Sequence, residues 1–321
     1  MLGLRHRCTI DVIVSRFVFL RLLRSLATLW LVVSVVFVAL RVNGDPANAL
    51  LPDDASAETI AAFHRLYGLD ESIPVQYGRY IAALASGEFG ISLQERRPVT
   101  EMVGGRIAAT LRLGLTAVVI AIVLGIPAGV LAALNRNTAI DRLLMGLAFI
   151  GQSAPNFFVG IMLILLFSLQ LRALPSAGSD TPAHLILPAF TLATGLLAGL
   201  ARMTRSSLLD VVQQQYIRVA YAKGLRTRAV IVRHALRNAA IPVLTLFGLS
   251  VGTLIGGAAI TETVFAWPGV GRLAVSAISV RDYPVIQFVV LMVAASVVAV
   301  NLLVDVAYGL LDPRIRHGSA S

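Results

Sequence analysis

Apolar residues gather into six charge-free stretches, at 25–40, 113–134, 143–169, 185–201, 239–261 and 285–304. The first reaches back to Leu22 if Arg24 lays its stem along the helix and turns its head to the interface. A helix rises about 1.5 Å per residue, so roughly 20 apolar residues cross the hydrocarbon core. Polar backbone left unpaired in lipid is prohibitively costly, which restricts spans to helices or closed barrels. The period-two alternation of a barrel is absent from these stretches. The pattern therefore predicts an all-α polytopic protein with six transmembrane helices.

The segments between them are polar and punctuated. Residues 41–112 carry nine acids and seven bases, with Pro46, Pro52, Pro74, Gly87 and Gly90 as breakers. Ser56 followed by Ile60, Phe63 and Leu66 predicts a capped short helix, and 75–84 a second one. This segment is too short for an independent domain. At 205–222, Leu208, Leu209, Val212, Tyr216 and Val219 recur at spacings of three and four, as on a helix. Gly224 supplies a left-handed stop. A second helix over 227–239 puts Val232, Ala235, Leu236 and Ala239 on one face, with Arg228, Arg233 and Arg237 on others, as for a helix at an anionic surface. Pro242 opens the fifth span, tolerable in a first turn.

Charge sets the orientation. With the N-terminus in the cytoplasm, Arg5, Arg7, Arg16, Arg21, Arg24, Arg136, Arg142, Arg314, Arg316 and the eight basic residues of 202–240 lie inside. The short outer loops keep only Arg172, Arg272 and Arg281. The positive-inside rule then predicts both termini cytoplasmic. The expected division is an N-terminal extension 1–21, a first span 22–40, an outer segment 41–112, a core 113–311 containing the cytoplasmic loop 202–240, and a tail 312–321. Ala47-Asn48-Ala49 resembles a signal cleavage site, but the apolar run is long and the basic region before it longer than a signal has. A retained helix is expected.

Composition agrees. Of 321 residues, 57% are hydrophobic and 14% charged, against about 45–50% and 25% in soluble domains; mean hydropathy is +0.81. A net charge of +10 would otherwise raise nucleic acid as a partner, but few charges in total, collected in loops, fit a membrane protein and no nucleic acid. Cys8 is the single cysteine, excluding an internal disulfide or a cysteine zinc site. The histidines (His6, His64, His184, His234, His317) have no ligand spacing, so no metal site is expected. The phosphate-binding pattern G-x-x-x-x-G-K-[ST] is absent; the one lysine, Lys223, precedes Gly224-Leu-Arg. Energy for any transport must come from a partner or a gradient.

Polar residues inside the spans are the candidates for a path. Gln152, Ser153 and Asn156 flank Pro155, which frees a carbonyl and kinks the third span. They either line a translocation cavity or bond neighbouring helices. Ser250, Thr253 and Thr261 lie beside the small surface of Gly252, Gly256 and Gly257, as packing residues do. Asn301 and Asp305 come late in the sixth span, with Asp305 placed for an interfacial ion pair. Glu262 and Trp267-Pro268-Gly269 open the last outer loop, as a re-entrant gate or as an aromatic interface anchor.

Read together, the segments resemble the permease subunits of ABC importers, in the dipeptide/oligopeptide/nickel branch. Tyr216-Ile-Arg218-Val-Ala220-Tyr-Ala222-Lys223-Gly224-Leu, then Arg233-His234-Ala-Leu-Arg237-Asn238-Ala-Ala-Ile-Pro242, is similar to that branch's EAA loop. Arg218 stands where the general motif has Glu, Val219 where it has its first Ala, and His234 and Arg237 replace Ile and Pro. Leu66-Tyr-Gly-Leu-Asp70, Val75-Gln-Tyr77 and Gly87-Glu-Phe-Gly90-Ile-Ser92 match the first outer loop. Arg202-Met-Thr-Arg205-Ser-Ser precedes the coupling loop. Thr261-Glu262-Thr-Val-Phe265-Ala-Trp267-Pro268-Gly269-Val-Gly271-Arg272-Leu matches the last outer loop, and Asp312-Pro313-Arg314 follows the sixth span. Arg172-Ala-Leu-Pro175 and 281–287 lean toward dipeptide- or glutathione-type permeases.

The resemblance implies a type I ABC importer permease fold. It implies a non-catalytic subunit forming half of a path for di- or oligopeptides in the bacterial inner membrane. The partners implied are a second homologous permease, two cytoplasmic ATPases that hold ATP and Mg²⁺, an extracytoplasmic binding protein and membrane lipid; this chain itself binds no cofactor. The loop around Gly224 becomes the coupling helix. Other readings are a same-family permease for nickel or an opine-like solute, a gradient-driven transporter, and a membrane enzyme. The spans lack the midplane acids that gradient coupling needs, and show no catalytic constellation.

Overall fold

The computed structural model describes residues 2–42, 44–52 and 54–311, and among these all side chains except at 2–20, 22, 49, 228, 241, 249, 251–256 and 303–311. The tail motif Asp312-Pro313-Arg314, Arg316 and His317 lie outside the described residues, as do the side chains of Cys8, Gly252, Thr253, Gly256 and Asp305. In chain order the helices are α1 (Leu2–Val42), α2 (Ala47–Leu50), α3 (Ala57–Tyr67), α4 (Ile73–Ser86), α5 (Val99–Leu134), α6 (Ala139–Ser153), α7 (Asn156–Leu163), α8 (Ile186–Val212), α9 (Gln215–Ala222), α10 (Thr227–Ala229), α11 (Leu236–Val264), α12 (Val270–Ser279) and α13 (Tyr283–Leu311). Wide π-type turns continue α7 over Ile164–Gln170 and join α10 to α11 over Val230–Ala235. Among the described residues the fold is all-α, with one isolated bridge between Ile91 and Pro98.

Leu23–Val42, Val99–Leu134, Pro182–Val212 and Tyr283–Leu302 are single helices long and apolar enough to cross a membrane. Two further spans, six in all, arise if each of two bent pairs is one span. The third stretch departs from expectation. Instead of one kinked rod it is α6 and α7, bent by 112°. Ala154 is extended (φ −74°, ψ 130°), as the residue before a proline prefers, so Pro155 ends one helix and starts another. Pro242 also differs: it lies inside α11, where the missing N–H removes a helical bond, and the chain bends by 47° between Val230–Ala240 and Pro242–Gly248. α5 starts at Val99, well before the apolar stretch at 113–134.

The chain divides into two compact units. The first comprises residues 1–102 and 276–298. There the predicted cap forms: the Ser56 side chain accepts from the Thr59 N–H, and Gly68 closes α3 in the left-handed region (φ 63°). Buried Phe37 of α1 stacks on Tyr80 and meets Tyr77 edge-on, with centroids 5.5 and 5.3 Å away. Burial, with Tyr77 beside it, pushes the Tyr80 phenol up to about 12 against the opposing pull of Arg41. At the start of α13, buried Asp282 accepts from the Ser92 hydroxyl and the Leu93 N–H, and Tyr283 donates to the Gly44 carbonyl. The motif at 87–92 and the one at 281–287 are thereby tied together.

The second unit, 103–275 with 299–321, is built around α8. Leu187, Ala189, Leu192, Ala193, Leu196 and Leu200 are buried on it at helical spacing, and α5, α6, α7 and α11 surround it. A Cβ on Gly129 of α5 would stand 2.4 Å from the Ala201 carbonyl oxygen, and one on Gly125 2.8 Å from that of Leu197. These two glycines let α5 and α8 touch backbone to backbone.

Candidate functional site

The 202–240 region folds into a hairpin, all within the second unit. α8 and α9 are separated at Gln213 and Gln214, the latter extended (φ −69°, ψ 149°), so the helix expected over 205–222 turns a corner. Leu208 before the corner and Ile217 after it are both fully buried in one cluster with Ala220, Val230, Ile231, Ala235, Ala239 and Ala133. Gly224 takes φ +79°; its N–H reaches the Tyr221 carbonyl and the Leu225 N–H that of Ala220, closing α9 as expected of a C-terminal glycine. The buried face of the return helix differs from the expected one. Val232 is 60% exposed while Val230 is fully buried. The π-type turn explains this: with i to i+5 bonding, Val230 and Ala235, five apart, share the inner face.

The expected hairpin residues divide into an inside and an outside. Ala220 is in the core, and Tyr216 and Asn238 meet across the hairpin, the Asn238 amide donating to the Tyr216 hydroxyl at 2.6 Å. His234 is half-buried, while Arg218, Ala222, Lys223, Gly224, Arg237 and Pro242 are exposed. Around the turn, Tyr216, Val219, Tyr221 and Leu225 stand at least 40% exposed among Arg218, Lys223 and Arg226. An apolar patch rimmed by cations on a rigid hairpin has the character of a docking surface.

At the break in the third stretch, Gln152, Ser153 and Pro155 are exposed and Asn156 is half-buried. The Asn156 amide nitrogen lies 3.4 Å from where a Gly257 Cβ would stand, bringing α7 against α11. Among the described residues, no side-chain hydrogen bond joins these three polar residues to another helix.

The loop between α11 and α12 is a lock built on Glu262. This side chain is fully buried. It accepts from the Thr110 hydroxyl at 2.7 Å and from the Arg272 N–H at 2.9 Å, the latter in the first turn of α12. A helix N-terminus offers free N–H groups and positive potential, which suits a carboxylate. Thr110 in turn accepts from the Val270 N–H at 2.8 Å. Trp267 is 2% exposed and donates its indole N–H to the Ala109 carbonyl at 3.0 Å; an interface anchor would stand in the open. Gly269 and Gly271 have no room for a side chain: a Cβ would lie 2.1 Å from the Glu262 carboxyl and 2.5 Å from the Ala259 Cα respectively. Arg272 donates to the Ala266 carbonyl at 2.6 Å, and Pro268 is exposed.

Sequence reading missed three features. Asp141, at the start of α6, is 3% exposed and takes a two-pronged ion pair from Arg205 at 2.6 and 2.7 Å. Nothing in its local spacing announces a partner so far along the chain. Asp282 is another buried acid of this kind. The glycines at 125 and 129 did carry a signal, the G-x-x-x-G of close helix packing. Among the described residues there is no group of three His, Cys, Asp or Glu side chains able to hold a metal.

The family described as binding-protein-dependent transport system inner membrane component matches residues 125–317, and its N-terminal counterpart matches 14–114. The glutathione transport system permease protein GsiC of Salmonella paratyphi A (strain ATCC 9150 / SARB42) is 43% identical over 302 residues, 94% of this chain and 99% of that protein. The protein of that name from Escherichia coli (strain K12) is 42% identical over the same shares. Among solved structures, a chain of the MetNI methionine ABC transporter overlays with a TM-score of 0.58 at 19% identity, covering 67% of this chain and 98% of that one; that likeness is one of fold.

Proposed function

This chain belongs to the family of binding-protein-dependent transport system inner membrane components, and on that premise we propose that it forms half of an ATP-driven import path for glutathione or similar short peptides. It is a multi-pass inner-membrane permease component of an ABC importer. The peptide substrate is supported above all by identity to the glutathione permeases along nearly the full length of both chains.

In this reading the chain is non-catalytic and binds no cofactor. Two cytoplasmic ATPases hold ATP and Mg²⁺, a second homologous permease completes the path, and an extracytoplasmic binding protein delivers the solute. Both termini and the hairpin face the cytoplasm, as the arginine distribution favours. The apolar patch around Gly224 seats in a cleft of one ATPase. The hairpin core of Ile217, Val230 and Ala235 keeps that contact stiff, so closure of the nucleotide engine moves α8 and α11 rather than a loop. The break at Gln152–Asn156 contributes polar groups to the path, and the Glu262 lock holds the outer end.

The test is co-purification in mild detergent followed by reconstitution with the binding protein. Recovery of two ATPases and a second permease, with ATP-dependent uptake of glutathione or a dipeptide, is expected. Uptake of nickel but no peptide would reassign the substrate, and uptake driven by an ion gradient without ATPases would remove the reading altogether.

A further inference from the structure

The pairing of α6 with α8 is antiparallel and almost featureless. Gly151 faces Thr194 and Ala198, at 3.0 and 3.7 Å from a Cβ built on it, and Ala148 clusters with Ala198 and Ala201. Surfaces of such small side chains approach closely but hold register weakly, because a helix sliding along them meets no directional contact. The opposite face of α6 offers no more, since Leu143, Leu147 and Ile150 are more than half exposed. One contact between the two helices has direction. Arg205 places Nε and Nη2 on the two oxygens of Asp141 at 2.6 and 2.7 Å, and the Asn137 N–H adds a third bond at 2.9 Å. Such a fork fixes both distance and angle.

Its position along α8 is what gives it a consequence. Arg205 lies one helical turn before Leu208, which is fully buried in the hairpin core. The same short piece of α8 thus touches the hairpin on one side and grips α6 on the other. α6 then runs to Ser153, directly before the break at Pro155. We infer that Asp141 and Arg205 are positioning residues that carry hairpin displacement into α6 and so to the broken span. The inference rests on the transport reading above and assigns a route to it: hairpin core, Leu208, Arg205, Asp141, α6, break. Without the fork, α8 still moves with the hairpin, but α6 is held to it by small side chains alone and the break follows only through the packing of α7 on α8 and α11.

The experiment uses the assembled transporter in proteoliposomes, reading solute moved per ATP hydrolysed, and the rise in hydrolysis when loaded binding protein is added. Removing one charge alone leaves the other buried and unpaired, which endangers folding. The informative variant is therefore the double D141L/R205M, in which apolar groups of similar volume fill the site and folding is retained. The expected result is normal abundance and thermal stability with solute moved per ATP lowered about five-fold, the scale of coupling carried by single contacts in such routes. Transport per ATP equal to wild type in a stable double variant overturns the inference, because the pair then serves folding alone. Should the double variant not accumulate, R205K decides: it keeps the charge but loses the fork, and wild-type coupling in it also overturns the inference. A wild-type complex that moves solute without ATP overturns the transport reading itself, whatever the variants do.

Discussion

The hairpin around Gly224 and the lock around Glu262 both rest on a glycine with a demanding neighbourhood, yet they are built on opposite terms. Gly224 is fixed by its backbone alone: φ is +79°, and nothing stands within 4 Å of a side chain added there. Gly269 is fixed by its surroundings, with the Glu262 carboxyl filling the space a side chain would need. The hairpin hides its apolar core inside and leaves Tyr216, Val219, Tyr221 and Leu225 outside. The lock turns its apolar groups inward apart from Pro268; Phe265, Trp267, Gly269 and Val270 are all buried. On the proposed reading, a segment that meets another protein keeps free surface around a stiff frame, while one that holds its own chain in place spends its polar groups on itself.

The largest expected effect is at the lock. Gly269→Ala drives a methyl into a carboxyl already held by Thr110 and Arg272. Overpacking commonly costs about 1–3 kcal/mol, and a clash with a pinned group belongs at the upper end. Membrane-inserted protein should fall sharply, and thermal unfolding of whatever accumulates in detergent should shift downward. Unchanged stability would mean that the lock opens freely. Glu262→Ala comes next. It strands the Arg272 N–H, at about 1–3 kcal/mol, while the Thr110 hydroxyl rotates toward another acceptor. Glu262→Gln keeps one acceptor oxygen and should cost less than the alanine variant; the same melting measurement ranks the three.

Much of this was legible from the chain alone, and the reason is physical. Long apolar stretches must leave water whatever else happens, and glycine, as at Gly224, is among the few residue types that close a helix in the left-handed region. The Ser56 cap followed from local chemistry in the same way. What escaped depends on contacts far apart in sequence or on local backbone width. Pro155 announced a kink, but the 112° turn is settled by what α6 and α7 pack against. A 3.6-residue period puts Val232 on the apolar face of the return helix beside Ala235; the π-type turn brings Val230 to the core beside Ala235 instead. Asp141 and Arg205 are a pair only once α6 and α8 lie antiparallel. Trp267 shows the limit of residue-type rules: an aromatic at a span end is commonly an interface anchor, but this one is bonded to Ala109 inside the unit.

At the hairpin the same kind of substitution should act on function more than on folding. Gly224→Ala meets no atom, so its cost is that of holding an L-residue at positive φ, about 1 kcal/mol. Abundance should stay near wild type, and ATP hydrolysis coupled to uptake should fall modestly. Gly224→Pro cannot adopt φ +79° at all, and should abolish coupling while the spans still insert, as measured by membrane abundance beside uptake. Equal coupling in the proline variant would detach the turn from transport.

The smallest effect isolates the contact that closes the hairpin. Tyr216→Phe removes the hydroxyl that accepts from the Asn238 amide at 2.6 Å and leaves the ring in place. Both residues are exposed, so the freed amide turns to water and keeps its bond to the His234 carbonyl. A hydrogen bond lost under those conditions is worth about 0.5–1 kcal/mol. Stability should therefore hold within measurement error, and any change should appear as a small drop in uptake per ATP. A melting shift as large as that of Glu262→Ala would show that the hairpin, like the lock, depends on its polar contacts, and the contrast between an apolar frame at one site and a polar one at the other would disappear.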